Sequence, residues 1–411
     1  MVDAMSAAPH FAGPTKAVRV LRDPATIRAR AGEVFDAACA GRTAHFSVDL
    51  GKLELAAERT VAAIRADYSA LDIPYHSRWR HFDAGGVDRW ARLAAQLPDD
   101  KLERARVGVD LAVASVLLDA GAGPEWRYRT PDGVYARSEG LAVASVDLFA
   151  SGVFSADPKA PLRADAAALQ RFDAQALAQG FQVSAENPLV GLDGRAGLLR
   201  NLGTAIAARP DLFGPVPRVG NLVDRLLFDA KDGTLPAARI LALLLDGFAD
   251  AWPARRVVDG VNVGDVGAHP AATDGLVPFH KLSQWLAYSL LEPFEALGLR
   301  IVDLDALTGL PEYRNGGLFL DTGVLALKDP TAAARTHDAT SELVVEWRAL
   351  TVVLLDRIAD LVRGKLGLEA ADFPLAKVLQ GGTWTAGRRI AAELREGGPP
   401  PLAVASDGTI F

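Results

Sequence analysis

Leu343-Val-Val-Glu-Trp-Arg-Ala-Leu-Thr-Val-Val-Leu-Leu-Asp-Arg-Ile-Ala-Asp-Leu361 decides the fold class. Leu343, Trp347, Leu350, Leu354, Ile358 and Leu361 recur at helical spacing, the stripe that one face of an α-helix turns toward a core. Trp347 sits inside the regular stripe and reads as core. Leu282, Trp285, Leu286, Ser289 and Leu290 form a second stripe, with Pro278 before it and Gly298 closing it. Asp23-Pro24 supplies an N-cap and a first-turn proline for a third helix, Ala-rich to Ala40 and ending at Gly41. Strand signals are few. His45-Phe-Ser-Val-Asp-Leu50 alternates, and Trp126–Thr130 with Val134-Tyr135 reads as a short hairpin through Pro131-Asp-Gly133. No repeating strand–helix unit and no internal repeat is visible. The expected fold is mainly α, a multi-helix, two-lobed globular protein with small β-hairpin pieces.

The 411 residues exceed one typical core. The expected organisation is an N-terminal extension over 1–20, one large helical domain over 21–395, and an extended tail over 396–411. Pro/Ala-rich breaks at Ala156–Ala164 and Lys328–Thr340 suggest loops, and a lobe boundary is expected near 156–166. The formal net charge of −7 argues against general nucleic-acid binding, which needs a basic surface, but leaves room for a local basic pocket. A single cysteine, Cys39, excludes an internal disulfide framework and a cysteine metal cluster. No secretory pattern is seen at the start of the chain. The most apolar runs, Leu111–Leu118 and Ile240–Leu245, fall short of the roughly 20 residues of a membrane span. A soluble, cytoplasmic protein is expected.

Familiar nucleotide and hydrolase motifs are missing. There is no Gly-x-x-x-x-Gly-Lys-Ser/Thr loop and no Gly-x-Ser-x-Gly elbow, and Gly260, Gly264 and Gly267 have the wrong spacing for a dinucleotide loop. His76 and His81 lack the His-Glu-x-x-His pattern of a zinc site.

What remains is a set of mixed polar and aromatic segments. Thr308-Gly-Leu-Pro-Glu-Tyr-Arg-Asn-Gly-Gly-Leu-Phe-Leu-Asp321 sets Glu312, Tyr313, Arg314 and Asn315 side by side on a tight turn. That density of hydrogen-bonding groups suits a rigid ligand or catalytic loop, and equally a solvated turn. His45, Ser47 and Asp49 share one side of a short strand, where they could orient a water or a sugar hydroxyl, or simply face solvent. Tyr75–Phe82 interleaves Arg78 and Arg80 with Trp79 and two histidines. Either arginine could fork onto a phosphate or carboxylate, or pair internally with Asp83 or Asp88. Asp119-Ala-Gly-Ala-Gly-Pro-Glu-Trp-Arg-Tyr128 lets backbone approach a ligand closely and repeats the acid–aromatic–basic mixture in Glu125, Trp126 and Arg127. Val277–Trp285 opens a helix with Lys281 and Gln284 on the face of Trp285, a candidate reader of anions or amide edges. Gly381–Arg389 is a lesser candidate of the same kind.

Seven segments carry a resemblance: His45–Asp49, Tyr75–Phe82, Asp119–Tyr128, Arg137–Ser145, Asp265–Pro270, Val277–Glu295 and Thr308–Asp321. Together, from about Val20 to Ala392, they resemble the uracil catabolism protein four family of fungi and bacteria, from a pathway that degrades uracil through ribosylated intermediates. A more remote, fold-level likeness is to queuosine-salvage nucleotide glycosidases, related in turn to helical DNA glycosylases. The resemblance implies an N-glycoside hydrolase acting on the ribose–nitrogen bond of a ribosyl-urea or uracil nucleotide-like compound. Glu312 or Asp119 would be the catalytic carboxylate, with Asp321 and Glu125 behind them. Arg314 and Lys281 would hold a phosphate or the leaving carbonyl. Asn315 and Gln284 would read amide edges, and Trp126, Tyr313 or Trp285 would stack on the planar group. The expected ligand is a small ribosylated molecule, with or without a 5′-phosphate, and no metal or cofactor is expected. A non-catalytic binder of an intermediate, or a hydrolase of the ureido or amide bond, is the alternative.

Overall fold

The computed structural model describes residues 14–253 and 255–405. The helices that build the architecture are α1 (Pro24–Cys39), α2 (Leu53–Asp67), α3 (Lys101–Leu117), α4 (Arg137–Ala150) and α5 (Leu192–Ala207). They continue with α6 (Ala237–Gly247), α7 (Lys281–Leu297), α8 (Tyr313–Asp321), α9 (Glu342–Leu366) and α10 (Trp384–Leu394). Strands occur as two-stranded pieces only among the described residues. β1 (Phe46–Val48) pairs antiparallel with a distant strand, Leu325–Leu327, and β2 (Tyr128–Thr130) and β3 (Gly133–Tyr135) form the expected hairpin. The fold is mainly α.

The sequence stripes become the core. In α9, Leu343, Trp347, Leu350, Leu354 and Ile358 are buried, and Leu361 is half-buried. Trp347 donates its indole N–H to the Gly316 carbonyl at 3.1 Å, tying α9 to α8. Asp23 caps α1 by accepting the Ala25 N–H at 2.9 Å. That helix ends at Cys39, one residue short of the expected Ala40, and the chain turns through Gly41 at φ +72°. α9 packs on α1, α2 and α8, α7 packs on α3, and α8 packs on α10. One apolar core passes through all ten helices, from Ile27 in α1 to Ile390 in α10. Val18 and Leu21 of a short helix, Lys16–Leu21, are also buried. Residues 403–404 pair in parallel with Thr336–His337, while the calls on residues 1–13 and 406–411 lie outside the described residues.

Three helix N-termini, those of α4, α7 and α8, converge with the loop that follows α3. α8 can start there because α10 presents Gly387 to it. A Cβ at Gly387 would lie 2.2 Å from the Arg314 carbonyl oxygen, far inside contact distance. Gly387→Ala is therefore expected to push α8 from α10 and cost about 1–3 kcal/mol by overpacking. Urea denaturation checks this, and a loss under about 0.5 kcal/mol would contradict so close a crossing.

Candidate functional site

The three N-termini and the α3 loop enclose a cavity of about 340 Å³. Its acidic members are Glu312 and Asp119, its cations are Lys281, Arg137 and Arg314, and Trp285, Tyr313 and Trp384 supply flat walls. Glu312 is the N-cap of α8. Its two oxygens accept the backbone N–H groups of Arg314 (2.8 Å) and Asn315 (2.6 Å). Burial raises its proton affinity above that of an ordinary glutamate, while those N–H bonds and the charge of Lys281 pull it back. Lys281 opens α7. Burial makes its ammonium easier to deprotonate than usual, against the attraction of Glu312 and Asp119. Among the described residues its side chain makes no hydrogen bond or ion pair.

Arg78 and Asp119 form a buried ion pair beside the cavity. Arg78 Nη1 lies 2.9 Å from Asp119 Oδ1, with side-chain exposures of 0% and 5%. The guanidinium also donates to Ser115 Oγ (2.7 Å) and the Ser138 carbonyl (3.2 Å), and lies 5.6 Å from the Trp285 ring centre. Arg78 Nη2 and the Trp285 indole N–H, both buried, have no acceptor among the described residues. Two histidines complete this wall. His81 Nδ1 sits 3.2 Å from Arg78 Nη1, which can only donate, so the neutral ring carries its proton on Nε2. His76 Nδ1 sits 2.9 Å from Gln380 Oε1, an acceptor, so its Nε2 is the free lone pair. Burial lowers the pKa of His76 to about 4, and burial together with the charge of Arg78 lowers that of His81 to about 3. Both rings are neutral at pH 7.

The α3 loop is shaped by Arg195, a fully buried arginine of α5. It donates to the carbonyls of Leu118, Ala120 (3.0 Å) and Gly121 (2.8 Å). With those carbonyls turned to Arg195, the N–H groups of Ala120, Gly121, Ala122 and Gly123 are left without an acceptor among the described residues. At the start of α4, Ala136 offers no side-chain cap, and the N–H groups of Ser138 and Glu139 are likewise unpaired. Arg137 enters the helix at φ +54°, a left-handed value that costs a non-glycine residue about 1 kcal/mol.

The remaining expected residues have other placements. Gln284 and Asn315 are fully buried and hold the approach to α8: Gln284 bonds Thr308 through both amide atoms, and Asn315 donates to the Leu310 carbonyl at 3.0 Å. They shape the loop rather than face the cavity. Asp321 closes α8 in an ion pair with Arg395 (2.5 Å), and Glu125 is exposed, so neither stands behind the cavity carboxylates. Trp126 is core: its ring stacks on Phe181 at 5.9 Å and its N–H reaches the Phe181 carbonyl at 2.9 Å. Arg127 binds the backbone carbonyls of Pro124 and Trp126. Arg80 turns away to Glu292 at 2.5 Å. Arg314 lines the cavity, with one nitrogen on the Gly398 carbonyl at 2.9 Å. Ser138 and Trp384 were not singled out as ligand residues, although both lie in segments whose composition marked them.

His45 and Asp49 belong to a different surface. Ligand atoms of His45, Glu342 and Glu346 lie within 4.8 Å of one another, a spacing that could admit a metal. Glu346, however, already accepts the N–H groups of Phe46 (2.9 Å) and His45 (3.1 Å). The neighbouring His269 Nδ1 accepts the Ala271 N–H at 3.2 Å, so its Nε2 carries a proton and faces Glu346 at 3.6 Å. These donors satisfy a structural anion and do not suit a metal. Asp49 caps a short 3₁₀ turn through the Gly51 N–H at 3.0 Å.

The buried histidines give a pH dependence of known sign. An unfolded histidine takes up a proton near pH 6.5, but folded His76 resists until about pH 4. Stability from this group is therefore full above pH 6.5 and lost as pH falls toward 4. The drop in unfolding free energy between pH 7 and pH 5 should be smaller in His76→Gln than in wild type by about 2 kcal/mol. Identical drops would mean that His76 titrates normally in the folded protein.

A family model described as "Protein of unknown function (DUF1688)" matches residues 20–411. The chain is 40% identical over 406 residues to Protein urg3 of Schizosaccharomyces pombe, covering 97% of this chain and 100% of that protein. It is 39% identical over 411 residues to Uracil catabolism protein 4 of Lachancea kluyveri, covering 90% of this chain and 93% of that one. Every element around the cavity lies within the matched span. The chain belongs to the DUF1688 family and is similar over most of its length to Protein urg3 and Uracil catabolism protein 4.

Proposed function

We propose that this protein acts in uracil catabolism as an N-glycoside hydrolase, cutting the ribose–nitrogen bond of a ribosyl-urea or a uracil nucleotide-like compound. The pathway reading is supported by the name of its relative, Uracil catabolism protein 4. The chemical reading rests on one observation: two carboxylates and an unpaired ammonium share an aromatic-walled cavity large enough for a small ligand.

Breaking the bond sends its electron pair to nitrogen and leaves positive charge on ribose C1′. Asp119 is the better placed carboxylate for that charge, because its Oδ1 lies 2.9 Å from Arg78 Nη1 while its Oδ2 has no hydrogen-bond or ion-pair partner among the described residues. In this scheme Asp119 takes a proton from the water that attacks C1′. Lys281 gives a proton to the departing ureido group, and the two residues then re-equilibrate. Glu312 sits on the capping bonds of α8 and favours the charged form of Lys281, against the burial that disfavours it. Trp285, Tyr313 or Trp384 stack on the planar leaving group. Products are a free sugar, or its phosphate, and urea or uracil.

Purified protein incubated with ribosyl-urea, its 5′-phosphate, uridine and UMP should release sugar from at least one of them. Asp119→Asn should cut kcat by about 10³-fold or more, and Glu312→Gln by about 10²-fold. Asp119→Asn should also lower the melting temperature, because it leaves the buried Arg78 guanidinium without its counter-charge. Turnover on none of the four would end the hydrolase reading. Ammonia without free sugar would move the cut to the ureido group. One feature favours a second reading: both Glu312 oxygens are already engaged in capping. A non-catalytic binder would hold a nucleotide tightly without turnover, and its binding would be indifferent to Glu312→Gln.

A further inference from the structure

The cavity carries an excess of unsatisfied donors at one end. In the α3 loop a row of N–H groups, from Ala120 to Gly123, has no acceptor among the described residues, while Arg195 grips the carbonyls of Ala120 and Gly121. Ser138 and Glu139 add two free N–H groups from the uncapped start of α4. Arg78 Nη2 and the Trp285 indole N–H are buried without an acceptor among the described residues. Buried donors are almost always paired in folded proteins, so these two unpaired side-chain donors, beside a run of unpaired backbone N–H groups, point to a missing acceptor-rich ligand group. The positive ends of three helix dipoles also point at this space. Of the carboxylates nearby, Asp119 is paired with Arg78, Glu139 lies 3.8 Å from Arg388, and Glu312 is engaged by the first N–H groups of α8.

The same backbone device holds an anion elsewhere in this chain. α7 also begins after a left-handed residue, His280 at φ +48°. There the Lys281 N–H is taken by the carboxylate of Asp265, itself held by both Nη atoms of Arg348 at 2.8 and 2.7 Å. α8 is capped by Glu312. Among the three converging N-termini, that of α4 has no carboxylate on its first N–H groups among the described residues, and its first-turn acid, Glu139, lies 3.8 Å from Arg388.

We infer that the loop Ala120–Gly123 and the first turn of α4 form a phosphate cradle, so that the substrate is the 5′-phosphate of the riboside rather than the free riboside. This rests on the reading that the cavity is the substrate site and assigns the phosphate to the α4 end, leaving Lys281 for the leaving group. Backbone amides at a helix start recognise the three oxygens of a phosphate monoester through several short bonds, which a sugar hydroxyl cannot match.

Calorimetric titration with D-ribose 5-phosphate and with D-ribose tests it without requiring turnover. The phosphate should bind at least ~100-fold tighter, and inorganic phosphate should compete with it. Ala136→Asp places a carboxylate at the N-cap, where it accepts the Ser138 and Glu139 N–H groups itself. That variant should melt no lower than wild type and bind ribose 5-phosphate at least ~30-fold more weakly. Equal affinity of the wild-type protein for the two sugars would overturn the inference whether or not the variant folds. A folded variant with undiminished binding would also overturn it. Hydrolysis of ribosyl-urea and its 5′-phosphate with equal kcat/KM would leave the hydrolase standing and remove the cradle. Tight ribose 5-phosphate binding with no turnover of any glycoside would do the reverse.

Discussion

Arg78 is the charge around which the site is built. A guanidinium with no exposed surface is costly unless its donors are met, and here Nε and Nη1 are met from three directions, leaving Nη2 over. Ser115 comes from α3, Asp119 from the loop after it, and the Ser138 carbonyl from the start of α4. The backbone N–H of Arg78 adds a fourth tie, to Ser289 Oγ of α7 at 2.9 Å. No one of these segments can move far without stranding a buried charge. The convergence of helix starts follows from that demand as much as from apolar packing.

The electrostatics of the cavity follow from the same pairing. Asp119 stays beside a permanent cation, so a free carboxylate oxygen remains available without leaving uncompensated charge in the wall. His81 is pushed the other way: burial and the adjacent guanidinium keep it neutral and fix which nitrogen holds the proton. Lys281 and Glu312 form a second, looser couple, in contact with the cavity rather than with each other's hydrogen-bonding atoms. The result is a small space in which one acid is paired with a guanidinium and two rings are held uncharged at neutral pH.

Much of this was legible in the residues. Helical stripes placed α7 and α9, and Asp23-Pro24 placed the start of α1, because those signals are local. The mixed polar segments that mark Arg78, Asp119, Lys281 and Glu312 do meet at one cavity. Composition could not tell which polar residue on a given turn faces inward. Asn315 and Gln284 share turns with Arg314 and Lys281, yet they serve the Thr308–Leu310 backbone. Trp126 sits in a segment as polar as any, but a neighbouring Phe181 and a free carbonyl made it core. Arg195 was silent for a different reason. It acts through carbonyls some 75 residues away in the chain, and no periodicity reports that.

The helix starts show why an incomplete hydrogen-bond inventory belongs to function here. α7 and α8 each bring a carboxylate to their first turn, so this chain can satisfy such ends when stability alone is at issue. Ala136 does the opposite at α4, beside a residue in a left-handed conformation. A serine or aspartate at that position would relieve the exposed amides and stabilise the helix by roughly 1 kcal/mol. Leaving it open keeps several dipoles fixed and unshielded in a space already rich in donors. Groups oriented in advance need no reorganisation when an anion arrives, which is what makes fixed backbone amides stronger anion ligands than mobile lysines. The folded chain is thus less stable at this turn than it could be, and an incoming group with several acceptors offsets that deficit.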